Sequence, residues 1–156
     1  MEYHELIESF ATKHGMDGLE IIDGVAALDI DGMRIAFIDD ESTRSIVLLG
    51  EIGAPPHGDG GRLGSLLMQA NYLFRGTNGA TFAQNPETGA YAIVRSLPLA
   101  PLDATALADA LETFANTLER WRRVAAETLP DGRPTDAPRA PSGGDLPFGA
   151  PGFLSV

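Results

Sequence analysis

The sequence predicts an α+β fold in which helices cover one antiparallel sheet. Apolar residues recur with helical spacing in three separate stretches. An Asp-Gly pair divides two alternating runs, and a second turn signal, NPETG, divides two more. The predicted order is helix, three-stranded meander, central helix, β-hairpin and long C-terminal helix (α-β-β-β-α-β-β-α), in one domain over residues 1–129.

The first predicted helix follows from a single apolar face near the start of the chain. Glutamates come early in this stretch, and Gly15 lies where a helix C-cap belongs. We therefore expect a helix of about three turns. The residues of its apolar face are Tyr3, Leu6, Ile7, Phe10 and Ala11.

Strands are predicted at residues 25–30, 33–39 and 45–50, as an antiparallel meander. Asp31-Gly32 supplies the positive φ angles that a two-residue hairpin needs. The second and third strands are apolar on both faces, but only one face can cover the core. The other face is predicted to be a partly exposed binding surface, unless a helix or the C-terminal tail covers it. Its residues are Ala36, Ile38, Val47 and Leu49.

The central helix carries more apolar surface than one sheet can cover. A broad stripe is predicted to face the core, and it comprises Leu63, Leu66, Leu67, Ala70, Leu73 and Phe74. A narrower stripe comprises Gly64, Met68 and Tyr72. This second stripe predicts an isologous homodimer, and the alternative is that it lies under a loop.

The second hairpin is predicted at residues 80–84 and 90–98, around the turn at residues 85–89. The last helix begins after Asp103, a good N-cap. From residue 130 onward, 11 of 27 residues are proline or glycine, so residues 130–156 are predicted to form a C-terminal tail without regular structure.

Composition excludes several classes of function. The net charge is −11, and residues 1–60 hold 13 acids against 3 bases, so nucleic acid and anionic membranes are unfavourable partners. The chain has no cysteine, no apolar run that could span a membrane and no signal peptide at its start. We expect a cytoplasmic protein.

No motif for catalysis, cofactor binding or metal binding emerges. The glycines at residues 58–64 do not match a phosphate loop, and Asp29–Gly32 lacks the other ligands of a calcium loop. The three histidines lack metal-ligand spacing, and the acidic residues 39–41 lie in a polar turn. We expect no enzyme, no cofactor and no metal.

One long stretch resembles a known family. It reads LLMQANYLFRGTNGATFAQNPETGAYAIVRSLPL and is followed by LDATALADALETFANTLERW. A Leu-rich helix ending at Asn71, the Leu73-Phe74 pair, Gly76, Gly79, the NPETG turn and a strand ending in Leu-Pro resemble the class I type III secretion chaperones, the Tir-chaperone family. The resemblance covers residues 1 to about 129 and is weaker before residue 60.

The resemblance implies a non-enzymatic homodimer that binds the N-terminal region of a secreted effector and keeps it export-competent without ATP. It implies pairing through the central helix, by Leu66, Leu67, Ala70 and Phe74 or by Gly64, Met68 and Tyr72. It implies effector binding on the first helix and the sheet, which suggests Leu6, Phe10, Ala36, Ile38, Val47 and Leu49. The alternative is a regulatory or protein-interaction module of the same fold.

The tail is longer than the family pattern requires. Its end, LPFGAPGFLSV, is apolar, with Phe148 and Phe153. We therefore consider the hypothesis that this end occupies the effector site of its own or a neighbouring molecule.

Overall fold

The computed structural model describes residues 1–16, 19–55 and 61–128. The tail predicted for residues 130–156 and most of the loop before the central helix lie outside the described residues. The domain boundary near residue 129 therefore stays a prediction.

The elements follow the predicted order. Three helices and five strands are described: α1 (Tyr3–Lys13), β1 (Val25–Ile30), β2 (Met33–Asp40), β3 (Ser45–Gly53), α2 (Arg62–Asn71), β4 (Thr81–Gln84), β5 (Tyr91–Pro98) and α3 (Ala104–Glu127). A short 3-10 turn, Tyr72–Phe74, follows α2.

Local chemistry sets the boundaries of several elements. Asp31 and Gly32 both have positive φ, 49° and 76°, as the tight β1–β2 turn requires. The Asp103 carboxylate accepts a hydrogen bond of 2.8 Å from the Ala106 N–H and caps α3. In the β4–β5 turn, the Asn85 side chain accepts a 2.9 Å hydrogen bond from the Glu87 N–H.

The five strands form one antiparallel sheet in the order β1-β2-β3-β5-β4. The meander β1–β2–β3 is confirmed, and the second hairpin joins it through β5. The strands β1 and β4 are therefore the two edges of the sheet.

All three helices pack on one face of this sheet. The Phe10 ring of α1 lies 5.9 Å from the ring of Phe37 on β2. Leu118 of α3 packs closely over Gly50 of β3, and Gly64 of α2 lies against Tyr91 of β5. The core between these layers includes Trp121, whose indole N–H donates a 2.8 Å hydrogen bond to the Gly76 carbonyl.

The central helix ends earlier than its apolar pattern predicts. Leu63, Leu67 and Ala70 are buried, as expected for the core stripe. Leu73 and Phe74 were expected on the same stripe, and this expectation is wrong: both are 54% exposed. Both have left-handed φ angles, 54° and 55°, so the chain has left the helix and its periodicity no longer applies.

Candidate protein-interaction surfaces

The sheet face opposite the helices, here called the outer face, is not covered by any element in the described part of the chain. Ala36 pairs directly with Leu49, and Ile38 with Val47, so the four predicted residues are adjacent. Each is partly exposed, while the alternating Ile35, Phe37, Ile46 and Leu48 are fully buried on the other face.

The outer face is larger than the sequence suggested. Its cross-strand rows continue from β2 to Val25 and Ala27 on β1, and from β3 to Val94 on β5. An ion pair of 4.0 Å between Asp29 and Arg34 lies at one end of these rows. The alternation of apolar residues within β1 is the signal that could have identified Val25 and Ala27.

A concave site of about 470 Å³ lies where the outer face meets the β4–β5 turn. Apolar side chains from three strands line it, including Leu49, Ala83 and Val94, and Pro86 of the turn closes one side. Glu51 and Glu87 also line this site. A site of this size and composition suits an apolar side chain from a partner segment.

The two edges of the sheet differ in how their backbone groups are satisfied. At β4, the Asn71 side chain accepts a 2.7 Å hydrogen bond from the Phe82 N–H and donates one of 3.1 Å to the Phe82 carbonyl. The Asn71 side chain thus makes the two hydrogen bonds that a neighbouring strand would make with Phe82. The outward-facing backbone groups of Phe82 are therefore already paired and not available to an added strand.

At β1, no described residue pairs with the edge beyond Val25. The Asp39 N–H donates to the Gly24 carbonyl, so antiparallel alternation turns the N–H and C=O groups of Val25, Ala27 and Asp29 away from β2. Val25 exchanges two 2.9 Å hydrogen bonds with Ile22. Ala27 and Asp29 remain as the positions at which an added strand would pair.

The first helix does not offer the exposed contacts that were expected. Leu6 and Phe10 are 0% and 2% exposed, because their face of α1 packs onto the core. The assignment of both residues to an exposed effector surface is therefore corrected. Phe10 also lines the groove that is described in the next paragraph.

A groove of about 430 Å³ lies between the end of α1, the β1–β2 hairpin and the middle of α3. We call it the hairpin groove. Its walls are mainly apolar, and Leu28 and Ile30 of the edge strand β1 contribute to them. Asp31, Glu112 and Glu119 make its rim acidic. Sequence analysis missed this groove because its walls come from segments far apart in the chain.

The hydroxyl of Tyr3 joins α1 to the edge strand. It donates a 2.7 Å hydrogen bond to the Phe37 carbonyl and accepts one of 3.2 Å from the Ala26 N–H. Burial raises the pKa of Tyr3 above its ordinary value. The neutral phenol is thus the form that holds β1 against the helix layer.

Three of the predicted dimer positions, Met68, Tyr72 and Phe74, are exposed on α2 and on the turn that follows it. Met68 is 69% exposed and Tyr72 is 53% exposed, and Leu73 and Phe74 extend this patch beyond the helix. We call these four residues the α2 patch. Such a contiguous apolar surface is typical of an interface.

The other predicted dimer residues lie elsewhere, and their assignment to an exposed interface is corrected. Leu67 and Ala70 are buried in the core, and Leu66 packs partly against it. A side chain added at Gly64 would meet the Tyr91 hydroxyl, so this position faces β5.

The described residues contain no group of three or more His, Cys, Asp or Glu side chains that could hold a metal ion. In the acidic turn after β2, the Asp40 carboxylate accepts hydrogen bonds from the Ser42 and Thr43 hydroxyls, and these lower its pKa. This carboxylate therefore stabilises a turn. Among the described helices, none is long and apolar enough to cross a membrane.

The comparisons with known proteins agree with this architecture. The model of the Tir chaperone protein (CesT) family matches residues 5–122. A chain of the HopA1–SchA chaperone–effector complex superposes with a TM-score of 0.65 at 22% identity, over 78% of this chain and 93% of that chain.

Two further solved structures share the fold. A chain from the complex of the Yersinia pestis type III secretion chaperone SycH with a YscM2 fragment gives a TM-score of 0.59 at 20% identity, over 76% of this chain and 98% of that chain. A chain of the ExsC–ExsE complex gives 0.62 at 18% identity, over 80% and 97%. No curated protein sequence matches this chain.

Proposed function

Because this chain belongs to the Tir chaperone protein (CesT) family, we propose that it is a type III secretion chaperone. It binds the N-terminal region of a secreted effector and keeps that region competent for export, without ATP and without catalysing a reaction. The observation that carries this proposal is the uncovered apolar outer face beside the open edge of β1. The similar HopA1–SchA structure is itself a chaperone–effector complex.

The effector segment binds in an extended form, by adding a strand to β1. Backbone groups of Ala27 and Asp29 would pair with it, which gives affinity that is independent of sequence. Successive side chains of an added strand point to opposite faces. Alternate effector side chains therefore reach the outer face and the hairpin groove, and these two surfaces provide specificity.

The chain acts as a homodimer that pairs through the α2 patch. Met68, Tyr72, Leu73 and Phe74 are large apolar residues, and each is more than half exposed. An isologous dimer would bury these four side chains against their copies in the partner, which removes apolar surface from water without changing the fold of the protomer. A dimer would also present two copies of the outer face to one extended effector.

The charge of the chain fits a protein partner in the cytoplasm. Residues 1–60 carry 13 acids and 3 bases, and this part of the chain supplies α1, β1, β2 and β3. An acidic frame around apolar surfaces keeps the free chaperone from self-association through the sheet. It also favours effector segments that combine apolar and basic residues.

The test begins with the tagged full chain purified from its native cells. The proteins bound to it are identified by mass spectrometry, and limited proteolysis defines the protected fragment. We expect the protected fragment to be the N-terminal region of a secreted protein, and light scattering to show two copies of this chain per complex. A monomer that protects no fragment would contradict the proposal.

A pair of variants then tests the site. Leu49→Glu places a charge in the outer face, and Thr12→Glu adds the same charge on the exposed surface of α1 as a control. Burying an unpaired carboxylate is unfavourable, so Leu49→Glu is expected to weaken binding of the protected fragment at least tenfold (about 1.4 kcal/mol). Equal affinity of the two variants would exclude the outer face as the site.

A further inference from the structure

The outer face is recessed beside the β4–β5 turn, in the concave site of about 470 Å³. We call this the turn site. Its floor is formed by Ala83 of β4 and Ala92 of β5, which are direct cross-strand partners. Ala92 is only 7% exposed although no described element covers its face of the sheet. The floor therefore lies below the surrounding surface.

We propose that the turn site binds an apolar side chain of the effector that is directly followed or preceded by a lysine or arginine. It is a second anchor for the effector, separate from the strand added to β1. The identity of the partner rests on the proposed function, whereas the chemistry of the site is a property of the isolated chain.

Small side chains on the floor make room for the apolar part of this partner. Leu49 and Val94 are cross-strand partners and form a wall on the side away from the turn. Pro86 of the turn forms the wall on the other side. An apolar side chain that enters between these walls is removed from water on several sides. The volume lies in the range of sites that bind small molecules, roughly 300–1,000 Å³.

The charges that line the turn site have one sign. Glu51 is the cross-strand partner of Ala92, and Glu87 lies in the turn. Neither carboxylate forms an ion pair with a basic residue of the described ranges. Arg34, on the same face of the sheet, is 4.0 Å from Asp29 instead. A cation beside the bound apolar side chain is therefore favoured, and a further carboxylate is repelled.

A second copy of this chain is a less suitable occupant than an effector segment. In the turn after α2, the exposed Leu73 and Phe74 are followed by Arg75, so this turn has the required chemistry. The proposed dimer, however, buries Leu73 and Phe74 in its own interface. The net charge of −11 also opposes the approach of further copies to an acidic site.

The order of the strands determines how far this anchor lies from the strand added to β1. Strands β1, β2, β3 and β5 are successive neighbours. Because neighbouring strands lie about 4.8 Å apart, a strand added to β1 is about 19 Å from β5. An extended chain advances at most about 3.6 Å per residue, so more than about five residues must connect the two effector segments.

A titration of the isolated full chain tests the chemistry without any effector. The probe is a synthetic peptide, glycine-leucine-arginine-glycine, with both ends blocked, and NMR of the isotope-labelled protein follows its binding. Two matched peptides replace leucine by serine or arginine by glutamate. We expect the probe to shift the amide signals of residues 83–87 and 92–94. Both matched peptides should bind at least threefold more weakly.

A variant that fills the turn site tests where the probe binds. Ala83→Leu places a larger side chain beside Ala92, and Ala83 is exposed, so the fold tolerates the change. Thr81→Leu introduces the same side chain on the same face of β4, two residues away and outside the lining, and is the matched control. Ala83→Leu should weaken probe binding at least tenfold, and Thr81→Leu less than twofold.

A second pair of variants tests the role of the carboxylates. Glu51→Gln combined with Glu87→Gln should weaken probe binding at least threefold and should remove the preference for arginine over glutamate in the peptide. Glu41→Gln, in the exposed turn after β2, is the control and should change neither quantity. Fluorescence of the buried Trp121 confirms that each variant is folded.

Two results would overturn the proposal. One is the absence of a saturable shift at the turn site, or equal probe binding by Ala83→Leu and Thr81→Leu. The other is a lower molar mass of Ala83→Leu than of Thr81→Leu in light scattering, because this would assign the turn site to a second copy.

The role in effector binding is measured separately with the protected effector fragment. Ala83→Leu should weaken binding of the fragment at least tenfold, and Thr81→Leu should not. Unchanged affinity would refute the second anchor. A protected fragment together with absent probe binding would refute the chemistry of the turn site and leave the proposed function intact. Probe binding without any protected fragment would support this chemistry and contradict the proposed function.

Discussion

The Tyr3 hydroxyl joins the edge strand β1 to α1, and removing that hydroxyl is a direct test of the architecture. Tyr3→Phe deletes a single oxygen atom and keeps the buried ring. In the wild-type chain this oxygen lies between the Phe37 carbonyl and the Ala26 N–H, at 2.7 Å and 3.2 Å. Without it, both backbone groups lose a partner.

The expected cost follows from the burial of this position. Tyr3 is 2% exposed, so water does not replace the lost hydroxyl. Leaving buried backbone groups without a hydrogen bond costs about 1–3 kcal/mol of unfolding free energy. Ala26 and Phe37 are direct cross-strand partners. A hydrogen bond between the Ala26 N–H and the Phe37 carbonyl in the variant would move the cost toward the lower end of this range.

The effect also depends on pH in a defined direction. Burial raises the pKa of Tyr3 in the folded chain above the ordinary value of 10.0, so the unfolded chain releases this proton at lower pH. The stability that the neutral phenol contributes is fully present below the pKa that Tyr3 has in the unfolded chain. It is lost as the pH rises through the pKa that Tyr3 has in the folded chain. Phenylalanine does not titrate, so the difference between the two proteins should be constant from about pH 7 to 9 and shrink above about pH 10.

Urea unfolding measures both effects. Trp121 is the only tryptophan and is fully buried, so its fluorescence reports unfolding. Thr12→Val, which removes an exposed hydroxyl from the same helix, is the control and should change stability by less than about 0.5 kcal/mol. If Tyr3→Phe matches this control, or if its cost does not change above pH 10, the hydroxyl does not hold β1 in place.

Two further predictions concern the edge at β4 and the dimer. Asn71→Ala leaves the Phe82 backbone unpaired, so it should cost about 1–3 kcal/mol and promote association of sheet edges, measured by urea unfolding and light scattering. Gln69→Ala, on the exposed surface of the same helix, is its control, and equal behaviour would refute the edge-blocking role. Met68→Glu in the α2 patch should convert the dimer to a monomer in size-exclusion chromatography without changing the helix content. Thr12→Glu should remain dimeric, and a dimeric Met68→Glu would exclude the patch as the interface.

Local patterns were sufficient for the three-stranded meander, but not for the pairing of β5 with β3. Alternation within β2 and β3 separated the outer residues from the core residues, and the Asp31-Gly32 turn set the β1–β2 register that makes Ala27 and Ala36 neighbours. These relations depend on residues that are close in sequence. The prediction of an apolar outer face was therefore confirmed at all four positions.

The end of α2 depended on a contact that no local pattern contains. Asn71 binds the backbone of Phe82, which lies 11 residues later, and the chain turns away from the helix at this point. A helical wheel continued past Asn71 therefore placed Leu73 and Phe74 in the core. Their left-handed φ angles show instead that the turn presents both side chains to the surface.

The faces of α1 could not be assigned from the sequence for a different reason. An amphipathic helix has one apolar face, and the pattern does not state whether that face meets the core or a partner. Leu6 and Phe10 meet the core because α1 packs beside α3 on the same face of the sheet, with Phe10 against Phe37 of β2. The same packing leaves a space beside Phe10, which becomes the hairpin groove.

The difference between the two sheet edges explains how a sheet with an apolar outer face can accept one extended partner without associating with copies of itself. Asn71 pairs with the backbone of Phe82, so two protomers cannot join edge to edge at this residue of β4. The proposed strand addition takes place at β1, where the backbone groups of Ala27 and Asp29 face away from β2. A partner strand at β1 lies next to both apolar surfaces, the outer face and the hairpin groove. In the proposed mode of binding, Asn71 therefore favours β1, the edge at which side-chain specificity is available.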